Sequence, residues 1–149
     1  MSQPAKIFPD SKKKYRLITR SDMDGLVCGV LLKELDLIED VTFAHPKDMQ
    51  DGLIEVGPED ITTNLPYVEG VCLAFDHHAS EMTRVKNKPG NHVIDPKAPS
   101  AARVVYDYFG GAEVQMSLIA KALAKDKKFQ VSIVVGDYGQ KAIVKQNRL

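Results

Sequence analysis

Short apolar runs and two helical stripes alternate along the first two thirds of the chain. Runs rich in apolar and β-branched residues predict five strands, at residues 15–19, 41–44, 60–64, 71–76 and 93–94. Residues 25–38 carry apolar side chains three and four positions apart, the spacing of an amphipathic helix. A second helix is predicted at residues 100–109, where Ser100 supplies a cap and Gly110 a stop. This alternation predicts an α/β fold with three layers, in which helices cover both faces of a mostly parallel sheet.

The remaining segments are less regular. Residues 1–14 are largely polar and contain two prolines, which predicts an arm that precedes the fold. Residues 47–58 are predicted as a surface helix or loop, and residues 79–91 as a polar loop. Apolar spacing at residues 116–125 predicts another helix, and residues 129–135 are typical of a strand. We therefore expect a single α/β domain over residues 15–149.

Composition and charge narrow the class of protein. The 149 residues are enough for one sizeable core, and 44% hydrophobic and 27% charged residues are ordinary for a globular protein. The formal net charge is zero, so a whole-chain basic field for duplex nucleic acid is absent. No apolar run approaches the roughly 20 residues that span a bilayer. The two cysteines lie among apolar neighbours, which favours a reducing compartment, and we expect the protein to be cytoplasmic.

Carboxylates and imidazoles follow two of the predicted strands. The run at residues 71–75 ends in Asp76-His77-His78, and Asp22 and Asp24 follow the strand at residues 15–19 on an acidic turn. Ligands of open α/β sheets collect at the carboxyl ends of the strands. A mixture of carboxylate and imidazole suits a divalent metal such as Mn, Fe or Zn.

These side chains form one candidate metal cluster, which consists of Asp22, Asp24, Asp76 and His77. Such a cluster would activate water and hold phosphate oxygens, and His78 would hydrogen-bond or protonate the substrate. The alternative is that these residues are only turn and capping residues, and Asp24 in particular is placed to cap the helix that follows. That alternative is strong for the acidic turn and weak for two adjacent imidazoles after an apolar run. His45, at the exit of another strand, is expected to be solvated or hydrogen-bonded.

The two motifs together resemble the DHH phosphoesterase family. The segment Thr19-Arg20-Ser21-Asp22-Met23-Asp24-Gly25, followed by a helix, resembles the first motif of that family, and Asp76-His77-His78 resembles the third. The resemblance covers residues 15–109 and is closest to exopolyphosphatase-like members. It implies a hydrolase that uses Mn²⁺ or Mg²⁺ to cleave phosphoanhydride or phosphodiester bonds.

The chain departs from the family pattern at several positions. Arg20 or Ile18 lies in the region where a His usually precedes the first Asp, and Arg20 is expected to assist His78 at the phosphate. Asn64 occupies the position of the bridging Asp of the second motif, which favours one well-occupied metal over two. Asp126 fits the spacing of the fourth motif as a weak candidate ligand, although an exposed helix end is the favoured interpretation. The family's second, substrate-binding domain is expected to be absent, which predicts weak or incomplete activity.

Three functional hypotheses remain. The first is a metal-dependent phosphoesterase, exopolyphosphatase-like or oligonucleotidase-like, which acts on a phosphorylated small molecule, polyphosphate or a short oligonucleotide. The second is a non-catalytic phosphate- or nucleotide-binding module that keeps the same scaffold. The third, an unrelated receiver-type signalling domain, leaves His77 and His78 without a role. No membrane association is expected, and homo-oligomerisation is left open.

Overall fold

Five parallel strands form the centre of the molecule. The computed structural model describes residues 7–10, 12–87 and 89–111, all within the first of two compact units, Met1–Gly111 and Ala112–Leu149. The strands are β1 (Tyr15–Arg20), β2 (Ile38–Ala44), β3 (Asp60–Thr63), β4 (Leu73–Asp76) and β5 (His92–Ile94). Their order in the sheet is β2-β1-β3-β4-β5, and every neighbouring pair is parallel.

Helices cover both faces of this sheet, which confirms the predicted three-layer α/β fold. They are α1 (Met23–Glu34), α2 (Pro46–Gln50), α3 (Ala79–Arg84) and α4 (Ala101–Tyr108). On one face, Leu17 and Phe75 of the sheet belong to a buried cluster with side chains of α1 and α4. On the other face, Ile18 packs in a second cluster with Met49 of α2. Alternate residues of β1 therefore serve two separate cores, as expected for a strand buried on both sides.

The first helix is shorter than the predicted 25–38. Helix α1 ends at Glu34 because Asp36 adopts a left-handed backbone with φ of 59°. The amide of Leu37 then donates to the carbonyl of Leu32, and the amide of Asp36 donates to that of Lys33, a pattern that closes a helix end. The apolar residues beyond this point continue into β2, which starts at Ile38 and not at residue 41.

The prediction of a loop at residues 79–91 is wrong for residues 79–84. Residues Ala79–Arg84 form α3, in which Glu81 and Arg84 pair three positions apart on one side of the helix. By contrast, α4 begins directly after Ser100, as predicted. The Ser100 side chain caps the helix by accepting a hydrogen bond from the Arg103 amide. The predicted helix and strand at residues 116–125 and 129–135 lie outside the described residues.

Residues before β1 contact the domain. The Phe8 ring lies 5.7 Å from the Tyr108 ring, and the Tyr108 hydroxyl donates to the Ile7 carbonyl. Both cysteines are free thiols, and burial raises the pKa of Cys28 to about 12. Over the described part of the chain, every helix is too short or too polar to cross a membrane.

Candidate active site

The register of three neighbouring strands brings the polar residues of the sequence motifs to one edge of the sheet. Thr19 of β1 is paired with Thr63 of β3, and Thr63 is paired with Phe75 of β4. Arg20, Asn64 and Asp76 come next along these strands. Because the strands are parallel, these three residues lie side by side at the carboxyl edge, where ligands of such sheets bind.

A close approach of α1 to β1 fixes the first of these segments. A Cβ atom added to Gly25 would lie 2.1 Å from the Arg20 carbonyl oxygen and 2.6 Å from the Thr19 hydroxyl oxygen. The Thr63 hydroxyl lies 2.7 Å from that of Thr19, and the pair is buried. Only glycine fits at position 25, so the acidic turn is held directly against the end of β1.

Asp22 caps α1, in place of the predicted Asp24. Its Oδ1 accepts from the Gly25 amide at 2.9 Å. The side-chain amide of Asn64 lies 3.0 Å from Oδ1 and 3.1 Å from Oδ2, and the Arg20 guanidinium lies 3.1 Å from Oδ2. Three donors from three segments therefore already surround this carboxylate.

Asp24 lies in the first turn of α1 and contacts a different helix. Its two carboxylate oxygens accept from the backbone amides of Ala101 and Ala102, each at 2.8 Å. These amides belong to the first turn of α4, where backbone donors lack helical partners and favour negative charge. The Nε2 atom of His77 lies 3.7 Å from Asp24 Oδ2, with both side chains largely but not fully buried.

Asp76 orients His78. The Asp76 side chain is 2% exposed, and its Oδ1 accepts from the His77 amide at 2.8 Å and lies 2.7 Å from His78 Nδ1. An ionised carboxylate can only accept, so Nδ1 carries the proton and Nε2 of a neutral ring is left as an acceptor. The other oxygen, Asp76 Oδ2, is buried and has no hydrogen-bond partner in the described part of the chain.

The predicted residues separate into two groups. Arg20, Asn64, Asp76 and His78 line a cavity of about 180 Å³. The other cavity residues are Pro46, Gln50, Leu65, Pro66, Ser80 and Glu81. Asp24 and His77 form the second group beside the first turn of α4, and Asp22 is linked to the first group through Asn64 and Arg20. The cavity combines the guanidinium of Arg20 and the imidazole of His78, which suit an anion, with the carboxylates of Asp76 and Glu81. The second group offers a carboxylate and an imidazole, which suit a cation.

Glu81 is a cavity residue that sequence reasoning missed. Burial alone would raise the pKa of Glu81, but hydrogen bonds from Arg84 and from the Tyr67 amide outweigh burial and hold the pKa below its ordinary value. The same contacts tie α3 to the segment after β3, since the Arg84 guanidinium also donates to the Tyr67 carbonyl at 2.6 Å. The spacing of Glu81 and Arg84, directly after the two histidines, was the available sequence signal.

The predicted metal cluster is not preassembled. Within residues 7–10, 12–87 and 89–111, no three His, Cys, Asp or Glu side chains come together as a metal-binding group. Asp126 lies outside the described residues. Two buried side-chain oxygens at this edge, Asp76 Oδ2 and Asn64 Oδ1, have no hydrogen-bond partner among the described residues. Fit to a cation therefore depends on these oxygens and on the pair Asp24 and His77.

The fold and this edge define a parallel α/β domain whose cavity combines a guanidinium, an imidazole and two carboxylates. No family model matches the chain, and no curated protein matches it. A solved structure does match: the pGpG-specific phosphodiesterase PggH from Vibrio cholerae, with 49% sequence identity and a TM-score of 0.61. The match covers 80% of this chain and 38% of the PggH chain, so this chain spans less than half of that structure.

Proposed function

We propose that this chain is the α/β part of a DHH-type phosphoesterase that hydrolyses the phosphodiester bond of a short linear dinucleotide. The observation that carries the proposal is the 49% identity to a pGpG-specific phosphodiesterase over 80% of the chain. The agreement of the two sequence motifs with one edge of the sheet supports it, because Arg20, Asp76 and His78 meet at one cavity. pGpG itself is the first substrate to test, and polyphosphate is the substrate of the exopolyphosphatase alternative.

Two cavity residues are assigned to the phosphate. The Arg20 guanidinium, half exposed and already beside Asp22, binds and orients the anionic group. His78 is held in one tautomer by Asp76, so its free nitrogen accepts a proton from water or, once protonated, returns one to the leaving oxygen. Asp76 positions the His78 ring through this contact.

Asp24 and His77 are assigned to one Mn²⁺ or Mg²⁺ ion. His77 Nε2 and Asp24 Oδ2 lie 3.7 Å apart, so these two side chains would hold the ion together. The buried, unpartnered Oδ2 of Asp76 offers a further oxygen that needs a donor or a cation. When bound, such an ion polarises phosphoryl oxygens and lowers the pKa of coordinated water.

A second candidate, a phosphate-binding module without turnover, is favoured by one observation. The carboxylate of Asp22 is already surrounded by Asn64, Arg20 and the Gly25 amide, which leaves fewer ligands for catalysis. The two candidates share the cavity and differ only in whether bound substrate is cleaved.

The test is conversion of pGpG to GMP, with Mn²⁺ and Mg²⁺ titrated separately and polyphosphate assayed in parallel. We expect His78→Gln to lower kcat by about 10²-fold or more. Arg20→Met should raise KM at least about tenfold, whereas Arg103→Met, which removes an exposed guanidinium of α4, should leave both constants unchanged. Binding of pGpG without turnover would support the binding module. Neither binding nor turnover would overturn both candidates.

A further inference from the structure

Asn64 donates its side-chain amide to both oxygens of Asp22. The two distances, 3.0 and 3.1 Å, join residues 42 positions apart in the sequence. Asn64 is 3% exposed, and its own backbone amide donates to the Phe75 carbonyl at 2.9 Å. The amide group is therefore fixed in place and not a mobile surface contact.

This contact gives Asp22 an uncharged partner that donates to both of its carboxylate oxygens. The Gly25 amide and the Arg20 guanidinium occupy other directions around the same carboxylate. With three protein donors, the charge of Asp22 is compensated without any ion. A cation at Asp22 would first have to displace the Asn64 amide.

We infer that Asn64 sets the number of divalent cations this edge can hold, by excluding an ion from Asp22 and confining binding to Asp24 and His77. The second part of this inference rests on the proposed function, and the first part does not. Asp22 is then a structural carboxylate, while Asp24 and His77 remain the cation ligands. Substitution of Asp22 and substitution of His77 should therefore have different effects on metal binding.

A single exchange of nitrogen for oxygen should create the excluded site. In Asn64→Asp, two carboxylates would face each other at about 3 Å, and like charges at that distance cannot both ionise without a cation or a proton between them. We expect the metal-free variant to be less stable than the wild type. We also expect it to bind one more Mn²⁺ per chain.

The experiment counts bound Mn²⁺ by titration calorimetry and by electron paramagnetic resonance of the free ion, on chelator-treated protein. Thermal unfolding with and without Mn²⁺ is the second readout. Asn64→Asp should gain one ion and show a Mn²⁺-induced rise in Tm larger than that of the wild type by roughly 5 °C. The reversed pair, Asp22→Asn with Asn64→Asp, restores one donor and one acceptor and should lose the added ion.

Two further variants keep the test decisive if Asn64→Asp folds poorly. Asp22→Ser keeps an oxygen to cap α1 and should leave the Mn²⁺ count of the wild type unchanged. Asn91→Asp, in which an amide that donates to the Val71 carbonyl is replaced, should gain no ion. An unchanged count in folded Asn64→Asp, or a lowered count in Asp22→Ser, would overturn the inference.

The Mn²⁺ counts distinguish failure of the exclusion at Asp22 from failure of the proposed function. A wild type that binds no Mn²⁺ while Asn64→Asp binds one would support the exclusion at Asp22 and overturn the ion at Asp24 and His77. A wild type that already binds two Mn²⁺ ions, one of them lost in Asp22→Ser, would overturn the exclusion and leave the phosphodiesterase proposal intact. Turnover of pGpG enters neither readout.

Discussion

Asp24 and Ala101 are joined by a hydrogen bond of 2.8 Å between residues 77 positions apart. Together with the matching bond from Ala102, it fastens the first turn of α1 to the first turn of α4. Both helices therefore start at the edge of the sheet that carries the cavity, and Asp24 supports the fold as well as the proposed chemistry. Variants of Asp24 must be interpreted with both roles in mind.

Replacement of Asp24 should destabilise the domain even without metal. In Asp24→Asn, one oxygen becomes an amide donor that faces a backbone amide of α4, so one hydrogen bond is replaced by a repulsive contact. We expect a loss of about 1–3 kcal/mol in the free energy of unfolding, measured by urea denaturation. Asp107→Asn, which breaks only an exposed pair with Arg103, should leave the free energy of unfolding nearly unchanged. Equal losses in the two variants would contradict the role of the contact with α4.

Two glycines of α1 should respond oppositely to the same substitution. Gly25→Ala would force a methyl group against the Arg20 carbonyl oxygen, and we expect a loss of about 3 kcal/mol or more. Gly29→Ala meets only the flexible end of Leu17 at 3.4 Å, and its better helix propensity should raise stability by up to about 1 kcal/mol. Urea midpoints of the two variants give the comparison, and a tolerated Gly25→Ala would show that the turn is not held as described.

The ion pair between the partly exposed Arg16 and the buried Asp60, at the start of β3, should be stronger than an exposed pair beside it. Arg16 contacts both oxygens of Asp60, at 2.7 and 2.8 Å, and Asp60 is 5% exposed. Arg16→Gln leaves that carboxylate with the Gly57 amide, and because Arg16 is itself partly exposed we expect a loss of about 1–3 kcal/mol. Lys13→Gln removes a 3.9 Å contact with Glu59 between two exposed side chains and should cost about 0.5 kcal/mol or less. Thermal unfolding in low and high salt measures the stability loss of both variants. A loss for Lys13→Gln as large as that for Arg16→Gln would contradict the stronger contribution of the Arg16–Asp60 pair.

Glu81 should make stability depend on acid pH. Although burial opposes it, the hydrogen bonds from Arg84 and Tyr67 hold the pKa of Glu81 below its ordinary value of 4.5. A lowered pKa means that the contribution to stability is complete above about pH 4.5 and is lost as the pH falls through the folded-state pKa. The Tm of Glu81→Gln should therefore lie below that of the wild type at pH 5. The difference between the two Tm values should shrink as the pH is lowered towards 3. The Tm of Glu59→Gln, a change at an exposed residue, should stay close to that of the wild type at every pH. A Tm difference for Glu81→Gln that does not change with pH would contradict the lowered pKa of Glu81.

The sheet and its polar edge could be predicted because they depend on local pattern. Apolar runs that end in Asp76-His77-His78, or in the turn with Asp22, place those residues at strand ends once the strands are parallel. The bounds of α1 could not be predicted, since the apolar stripe continues past a left-handed Asp36 into the next strand.

The contacts that define the site were beyond the sequence pattern. Asn64 reaches Asp22 across 42 positions, and Asp24 reaches the start of α4 across 77. Nothing in the spacing of these residues indicates which carboxylate caps α1 and which contacts another helix. Both Asp22 and Asp24 have the residue type of a cap, and only the packing of α4 against α1 separates their roles.

The backbone conformation at Asn64 limits which residues can replace it. Its φ of 55° lies in the left-handed region, which glycine, asparagine and aspartate adopt most easily. Codons for asparagine and aspartate differ only at the first base, so one nucleotide change separates the amide from the carboxylate. Most other side chains would strain the turn. Of the replacements that this backbone favours, aspartate is therefore the one that a single base change reaches, and it would give Asp22 a charged neighbour.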